Sequence, residues 1–422
     1  MKPAICYSIF IASLFLIAGP LRAEETPVDL KAHEWGTITT LHSPSGSSLA
    51  WYQPNQRGVS ELPSFVYPRI IVSSKGGMLT TARMETPVIY FYTDTKQSVD
   101  LSVSYLDGKI TEYFPRTDRV YPSGPSGDWK GLELIPPSHA RDGMKFPVDP
   151  KLPKNHYYEA RAVPDAALVQ RMDQPDEVEK FVFYRGAGSF ESGLHVRMDL
   201  GGEGISVSSY NESDPIEHGW LLQSSVDAVR WKKLLPLPAR KGDSIPPQTQ
   251  VPFSSLDAGT SRVDSIANLK ASMVAALTDT GLTSAEASAM VATWDEQWFE
   301  EPGQRVFSIV PQAVIDVMLP LQITPKPSEM IRVFVHRAEV IRPETLHNLE
   351  TSMSPETDPA RAKALIAEAQ LGRFIHGVLE SVASEVGRRT AGEYRMRGFQ
   401  ALQSDGKATE VSSVNARTRP SK

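Results

Sequence analysis

Residues 83–92 read Arg-Met-Glu-Thr-Pro-Val-Ile-Tyr-Phe-Tyr, and the last five of them are apolar on both faces of an extended chain. A short strand with two apolar faces is typical of the centre of a sheet that is covered on both sides. Other short runs with alternating polarity are bounded by Gly, Pro and Ser, which favours a β-sandwich-like domain over a helical or doubly wound fold. These further strand candidates are residues 180–184, 194–200, 205–210 and 220–223.

A β-hairpin is predicted directly after this stretch. Residues 101–105 alternate in polarity, Asp107-Gly108 supplies a two-residue turn, and residues 110–114 form the returning strand. In this register Glu112 faces Val103 and points into the apolar side. A carboxylate in such a place needs a partner or a function, so Glu112 becomes a candidate site residue.

In the second half of the chain, the spacing of apolar residues changes from that of strands to that of helices. After a proline-rich interval, apolar residues recur with a spacing near 3.6, and Thr283 with Glu286 forms a capping box that opens a second helix. A long helix is expected from Pro359 to about Ser384. The predicted organisation is a β-rich domain followed by a helix-rich α+β domain. We predict the following boundaries: a β-rich domain at 24–235 with a proline-rich excursion at 121–153, a linker at 236–262, an α+β domain at 263–403 and a disordered tail at 404–422.

The amino terminus predicts export. A basic start, a short apolar run and small residues before an acidic segment indicate a signal peptide at residues 1–23, cleaved after Ala23. The only cysteine, Cys6, lies inside it, so the mature chain has no disulfide and no thiolate metal site. We expect a periplasmic or extracellular protein with no transmembrane segment after processing.

The net charge of the chain argues against nucleic acid as a partner. Loss of Lys2 and Arg22 with the signal peptide moves the formal charge from −6 to −8. A protein that binds nucleic acid would instead show a basic surface and a high isoelectric point, whereas this chain has a value near 5.9. Nucleic acid is therefore not an expected partner.

Several charged residues beside the strands are candidates for a site. His33-Glu34 begins a zinc H-E-x-x-H pattern, but position 37 is Thr, and on a strand the two side chains would face opposite sides. Arg83 and Glu85 share a face, which favours a buried ion pair. The alternative is a ligand-facing cluster in which Glu85 acts as an acid, base or metal ligand. Arg185 lies in a glycine turn that lacks the dinucleotide-binding pattern.

Four acidic residues cluster where a helix is expected to end. The negative end of the helix dipole disfavours them, so Arg305 or another basic group should compensate. The alternative is a divalent cation such as calcium; its candidate ligands are Asp295, Glu300 and Glu301. No other cofactor is expected.

Motifs for covalent catalysis do not occur. The chain has no Gly-x-Ser-x-Gly elbow and no P-loop, so an enzyme would use acid–base or metal-assisted chemistry rather than a serine nucleophile. His336, on a predicted strand at 330–341, is interpreted as a structural histidine.

The chain resembles a family of exported bacterial proteins of unknown function. The resemblance rests on His33-Glu34-Trp35-Gly36-Thr37, on residues 83–92, on Phe183-Tyr184-Arg185-Gly186, and on Ala289-Met290-Val291 with Trp294, Trp298 and Phe299. It spans most of the mature chain. It implies a family and no activity, ligand or catalytic residue.

Two functions follow from these features. The first is a non-catalytic envelope or extracellular binding protein that recognises a partner protein or a glycan through the proline-rich excursion and the aromatic, charged strand surface. The second is an exported hydrolase or lyase that uses Glu85 and Glu112 with Arg83 or His33, with or without a divalent cation. The enzyme is favoured if His33, Glu112 and Arg185 join Arg83 and Glu85 in one pocket.

Overall fold

A computed structural model describes residues 29–52, 61–68, 80–120, 126–140, 143–199 and 201–385. The predicted signal peptide and the predicted disordered tail lie outside these residues. Of the described residues, 38% lie in strands and 26% in helices, with a sheet-rich amino-terminal region and a helical carboxy-terminal part. Within the described ranges, the helices are too short or too polar to span a bilayer.

The described part of the chain contains eighteen strands. In chain order they are β1 (Lys31–His42), β2 (Tyr67–Pro68), β3 (Ala82–Tyr92), β4 (Gln97–Ser104), β5 (Gly108–Phe114), β6 (Arg119–Val120), β7 (Ser126–Ile135), β8 (Leu168–Arg171), β9 (Gln174–Glu179), β10 (Val182–Gly188), β11 (Leu194–Met198), β12 (Gly204–Ser209), β13 (Gly219–Ser224), β14 (Val229–Lys233), β15 (Thr249–Pro252), β16 (Gly303–Val310), β17 (Leu321–Thr324) and β18 (Glu329–Val340).

Six α-helices lie in the second half of the described chain. They are α1 (Arg262–Asp279), α2 (Ser284–Thr293), α3 (Gln312–Met318), α4 (Pro343–Met353), α5 (Pro359–Glu368) and α6 (Ile375–Glu385). The predicted capping box of Thr283 and Glu286 is present at the start of α2. A π-helical turn, Glu296–Glu300, follows α2.

One large sheet organises the fold. Its nine strands run in the order β14, β13, β16, β18, β1, β3, β10, β5 and β2. β1 pairs in parallel with β18 and antiparallel with β3. Because strands from both sides of the predicted linker alternate in this sheet, residues 236–262 do not separate two independent sheets. That interval also contains β15, which pairs with β12.

The predicted hairpin is wrong. Both strands form, but β4 pairs with β7 and β17 in a six-stranded sheet, whereas β5 pairs with β10 and β2 in the large sheet. The chain between them crosses from one sheet to the other, and the packing of two sheets overrides the local turn signal. Glu112 therefore faces Arg185 across β5 and β10 rather than Val103.

Two other predicted elements also differ. The proline-rich excursion contains the ten-residue strand β7, whose residues lie between the prolines and pair with β8. The long helix expected after Pro359 is interrupted, because Gln370 and Gly372 take left-handed φ values of 49° and 47° between α5 and α6.

Both faces of the large sheet are buried, as the apolar stretch at 88–92 predicts. One face, called here the helix face, packs Trp35, Val88 and Tyr90 against α1 and α2. The opposite face packs Ile38 and Met84 against the six-stranded sheet. At the far end of that opposite face, the three-stranded sheet β11-β12-β15 covers β16 and β18. Each large apolar side chain removed from water in this way contributes about 1.5–3 kcal/mol.

Candidate functional site

The segments that the sequence singled out meet on the helix face of the large sheet. Thr37 and Thr39 of β1 lie opposite Glu85 and Arg83 of β3. The register shifts between Trp35 and Thr37, which is a β-bulge of the kind found beside functional sites. A Cβ atom at Gly36 would lie 2.6 Å from a ring carbon of Phe334 and 3.1 Å from Cα of Pro87, so the bulge requires glycine. β10 lies against the other edge of β3 and brings Arg185 to the same place.

Five charged residues form a cluster here, which we call the arginine cluster: Glu61, Arg83, Glu85, Arg185 and Arg373. Glu61 accepts hydrogen bonds from Arg83 at 2.9 Å and from Arg185 at 2.8 Å. Glu85 accepts from Arg373 at 2.6 Å and from Arg83 at 3.3 Å. The structure thus contains the Arg83–Glu85 ion pair that the sequence favours, within a larger network.

Uncharged and aromatic groups surround the cluster. Thr39 donates to Glu85 at 3.0 Å, and Nη2 of Arg185 lies 3.2 Å from Nε2 of His156. The Arg83 guanidinium lies 4.3 Å from the ring centroid of Tyr52. That of Arg373 lies 5.5 Å from the ring of Trp51. Cation–π contacts of this kind hold guanidinium groups in place without neutralising them.

Electrostatics keep the cluster charged and the nearby histidine neutral. Burial acts to raise the pKa of Glu85, but the charges of Arg373, Arg83 and Arg185 outweigh it and lower that pKa. The same balance, dominated by Arg185 after burial, holds the pKa of Glu61 below its usual range. Burial, reinforced by Arg185, lowers the pKa of His156 to about 4. Both carboxylates are therefore ionised and His156 is neutral at pH 7.

The arginines have hydrogen-bonding capacity to spare. Among the described residues, no partner lies within hydrogen-bond distance of Nε of Arg83, Nε of Arg185, or Nε and Nη2 of Arg373, although these atoms are buried. Three guanidinium groups share these two carboxylates, and Glu112, opposite Arg185, adds a third carboxylate beside them. The side chains of Glu61 and Arg373 are 47% and 22% exposed, whereas those of Arg83 and Arg185 are 8% and 1% exposed. The first two therefore form the solvent side of the cluster.

The backbone is strained beside Glu85. Thr86 has a φ of 45°, which is an outlier for a β-branched residue. Its hydroxyl is buried with no hydrogen-bond partner in the described part of the chain. Strain of about 1–3 kcal/mol at a single residue is typical of ligand and active sites.

Two of the predicted candidates lie elsewhere. His33 Nδ1 is 3.0 Å from a Glu286 carboxylate oxygen, and Tyr92 donates to the same carboxylate at 2.7 Å. Glu34 lies on the opposite face, as the alternation of a strand predicts, and pairs with Arg332 at 2.6 Å. Each of the two is paired with residues outside the arginine cluster.

Glu112 lies next to the cluster without joining it. It is half-buried opposite Arg185, and its carboxylate accepts a hydrogen bond from Thr111. The structure therefore brings Arg83, Glu85 and Arg185 together and leaves His33, Glu34 and Glu112 outside.

The candidate cation ligands are paired with basic groups or exposed. Asp295 contacts Lys270, Glu301 contacts Arg337, and Glu300 is exposed. Arg305 donates to the backbone carbonyls of four residues at the end of the π-helical turn: Gln297, Trp298, Glu301 and Pro302. Arg305 thus compensates the carbonyl end of the turn, but its ion pair is with Glu339 rather than with the four acidic residues. Within the described ranges, no three His, Cys, Asp or Glu side chains are grouped for a metal ion.

Sequence reasoning missed Glu61, His156 and Arg373. Glu61 and His156 lie outside the strands, and their neighbours along the chain carry no recognisable pattern. Arg373 lies in the break between α5 and α6, where a continuous helix was expected. The Gly372 before it was the available signal for that break, because glycine tolerates a left-handed φ.

Comparisons with known proteins give distant structural matches. No family model matches the chain, and no curated protein matches it. The Fcho1 mu homology domain of Danio rerio with a bound Eps15 peptide is 8% identical over 75% of this chain and 98% of its own, with a TM-score of 0.32. The yeast delta-COP-I mu-homology domain with a Dsl1 WxWxV peptide is 9% identical over 74% and 98%, with a TM-score of 0.28.

Proposed function

We propose that the protein is an exported, non-catalytic binding protein and that the arginine cluster recognises an acidic group of its ligand. The observation that carries the proposal is the set of buried guanidinium N–H groups that have no partner among the described residues. Leaving such donors unpaired costs about 1–3 kcal/mol each. An anionic ligand would supply acceptors for these donors.

Carboxylate, sulfate and phosphate groups fit this chemistry. A guanidinium group presents planar pairs of donors that match two oxygens of such an anion. Arg373 and Glu61 are the more exposed members, so a ligand would reach the cluster from their side. The half-buried Tyr52 lies beside Arg83 and the buried Trp51 beside Arg373, and aromatic residues are enriched in protein-binding interfaces. This supports an acidic glycan or an acidic peptide segment as the ligand.

Acid–base catalysis by the same carboxylates has less support. A general acid or base works best when its pKa lies near the working pH. The neighbouring arginines lower the pKa values of Glu85 and Glu61, so neither carboxylate has a proton to donate at pH 7. Glu112, the second carboxylate of the predicted enzyme, accepts a hydrogen bond from its own neighbour Thr111.

Isothermal titration calorimetry with oligogalacturonate tests the proposal. Its methyl-esterified form is the matched control, because it has the same sugars without the charge. We expect binding of the acid and at least tenfold weaker binding of the ester. A glutamate-rich peptide forms a second arm that separates a glycan ligand from a peptide ligand. Equal binding of acid and ester, or no binding of either acidic probe, would contradict the proposal.

Arg373→Gln is the variant that locates the site. It removes a partly exposed arginine and should weaken binding of the acidic probe by at least tenfold. Arg361→Gln is the control, since Arg361 is exposed on α5 and pairs only with Glu368 across the helix surface. Export is tested separately by sequencing the amino terminus of secreted protein, which should begin after Ala23.

A further inference from the structure

Glu61 is the member of the arginine cluster that already holds the place of an anion. A single carboxylate oxygen, Oε1, accepts from Nη2 of Arg83 at 2.9 Å and from Nη1 of Arg185 at 2.8 Å. Both arginines are buried, whereas Glu61 reaches them from the solvent side. We call the position of this carboxylate, between Arg83 and Arg185, the Glu61 seat.

The two carboxylates of the cluster are held with different firmness. Glu85 lies on β3, its side chain is 1% exposed, and Thr39, Arg83 and Arg373 all donate to it. Glu61 lies ahead of β2, outside any strand or helix, and its side chain is 47% exposed. Among the residues that the structure describes, only the two arginines of the seat donate to its carboxylate. Glu61 is therefore the carboxylate that can leave.

The backbone at Glu61 is fixed independently of its carboxylate. Nδ2 of Asn155 donates to the backbone carbonyl oxygen of Glu61 at 2.7 Å. The next residue, Leu62, is 3% exposed and belongs to the core on the helix face. Rotation about the side-chain bonds can thus move the carboxylate into water while the segment stays in place. Such rotations of exposed side chains take picoseconds to nanoseconds.

The charges of the cluster favour an exchange over a simple addition. The three arginines face three carboxylates, because Glu112 lies opposite Arg185 beside Glu61 and Glu85. An anion that entered next to all three would bring an unbalanced charge into a buried site, which is costly. When Glu61 turns out as the anion enters, the number of buried charges stays the same. A singly charged carboxylate keeps this balance, whereas a doubly charged phosphate does not.

The vacated seat offers a full set of donors to the incoming group. Nη2 of Arg83 and Nη1 of Arg185 lose their acceptor when Glu61 turns out. They join Nε of both arginines, which has no partner in the described part of the chain. Paired guanidinium donors match the two oxygens of a planar carboxylate. The seat also has the right size for this group, since it holds one.

We propose that Glu61 is an internal competitor of the ligand, and that the acidic group of the ligand is a carboxylate that replaces the Glu61 carboxylate between Arg83 and Arg185. This inference rests on the proposed function, because it concerns how the same cluster accepts its ligand. It narrows the ligand anion from carboxylate, sulfate or phosphate to carboxylate.

An internal competitor makes the site selective. A tethered group competes at an effective concentration of millimolar order or more. The apparent affinity of an external ligand falls by the fraction of seats that are open. A lone carboxylate such as acetate therefore loses to Glu61. A uronic acid or a glutamate within a longer glycan or peptide can displace it, because the neighbouring units supply additional contacts.

Glu61→Gln tests the competition in the full chain. A neutral amide holds the two guanidinium groups less tightly, so oligogalacturonate should bind this variant about tenfold more tightly than the unaltered chain in isothermal titration calorimetry. Glu159→Gln is the matched control. It removes the same charge from an exposed position on the helical turn that carries His156, and a screened surface charge should change the affinity by less than about twofold.

Glu61→Ala tests the seat itself by chemical rescue. The truncated side chain leaves the seat open, so propionate should enter it and raise the melting temperature of the variant by about 2 °C or more. Propionamide is the control, because it has the same shape without the charge. Methylphosphonate, which carries a second charge above neutral pH, should stabilise the variant less than propionate. The unaltered chain should respond to none of the three, since its seat is filled.

The outcomes separate this inference from the proposed function. If the unaltered chain prefers the acid to its methyl ester but Glu61→Gln binds the acid no more tightly, the internal competition is overturned and ligand binding stands. If neither protein binds the acid, both are contradicted. Equal stabilisation of Glu61→Ala by propionate and propionamide would overturn the exchange, whatever the larger probe does.

Discussion

Thr39 and Thr40 are neighbours on β1, yet their hydroxyls belong to polar networks of opposite kinds. Thr39 faces the helix side and donates to the ionised Glu85 of the arginine cluster. Thr40 faces the other side and links two neutral histidines. Both threonines are buried, at 0% and 5% exposure. Burial alone therefore does not decide whether a polar site is charged.

The difference comes from the partners. A buried charge is tolerated when opposite charges lie within a few ångströms, as the carboxylates and guanidinium groups do in the arginine cluster. A buried histidine without a carboxylate partner loses its proton instead, because the charged form is costly in an apolar surrounding. The first arrangement suits binding of another ion, and the second suits directed hydrogen bonds.

The largest expected effect is a loss of stability when the carboxylate of Glu85 is removed from the arginine cluster. Glu85→Gln removes the carboxylate that Arg83 and Arg373 share and leaves buried positive charge unpaired. We expect the free energy of unfolding to fall by about 3–5 kcal/mol, measured by urea denaturation. Glu329→Gln is the control, since its exposed pair with Lys31 should contribute less than about 1 kcal/mol. Equal losses in the two variants would mean that the arginine cluster is not a buried network.

Acid should act on His42 and on the carboxylates of the arginine cluster in different pH ranges. The folded pKa of His42 lies near 4 and its unfolded value near 6.5, so below pH 6.5 the unfolded chain binds a proton that the folded chain does not. Stability should therefore fall by about 3 kcal/mol for this residue as the pH drops from 6.5 to 4. Glu85 and Glu61 have folded pKa values below 4.5, so their contribution is lost only below about pH 4.5.

The variant His42→Phe sharpens this distinction. Its unfolding free energy, measured from pH 7 to 4, should vary with a smaller slope than that of the unaltered chain. An unchanged slope between pH 6.5 and 4.5 would show that His42 is not buried in its neutral form.

The smallest expected effect compares the two threonines directly. Thr40→Val removes the hydroxyl between His42 and His336 and leaves a ring N–H without its acceptor, so we expect a loss of about 2 kcal/mol. Thr39→Val removes a single donor to a carboxylate that keeps its arginines, and should cost about 1 kcal/mol. Thermal unfolding of both variants measures the difference. A larger loss for Thr39→Val would reverse our assignment of the two networks.

The arginine cluster shows which contacts could be predicted from the sequence and which could not. Arg83 and Glu85 could be placed together because residues two apart on a strand share a face. Arg185 was named but could not be joined to them, since its register against β3 depends on long-range pairing. Glu61 and His156 come from segments with no periodic pattern, and Arg373 lies at a break that the predicted helix did not contain, so local reasoning had no means to bring them to this site.

The hairpin error has the same origin. Asp107-Gly108 is a strong turn signal, and both flanking strands form where the sequence places them. Their pairing was wrong because each strand pairs with other strands in a different sheet. Turn chemistry specifies where the chain can bend, whereas burial of both strand faces decides which neighbour each strand takes.

Local sequence patterns were enough to predict the strands with two apolar faces, the capped helices after the proline-rich interval, the pairing of Arg83 with Glu85 and export. These depend on residues close together in the chain, where geometry is fixed by a period of two or 3.6. Long-range folding was needed to unite both halves in one sheet and to bring Ser192 to His336. Such contacts join positions more than a hundred residues apart, and they are selected by the burial of whole faces rather than by any local pattern.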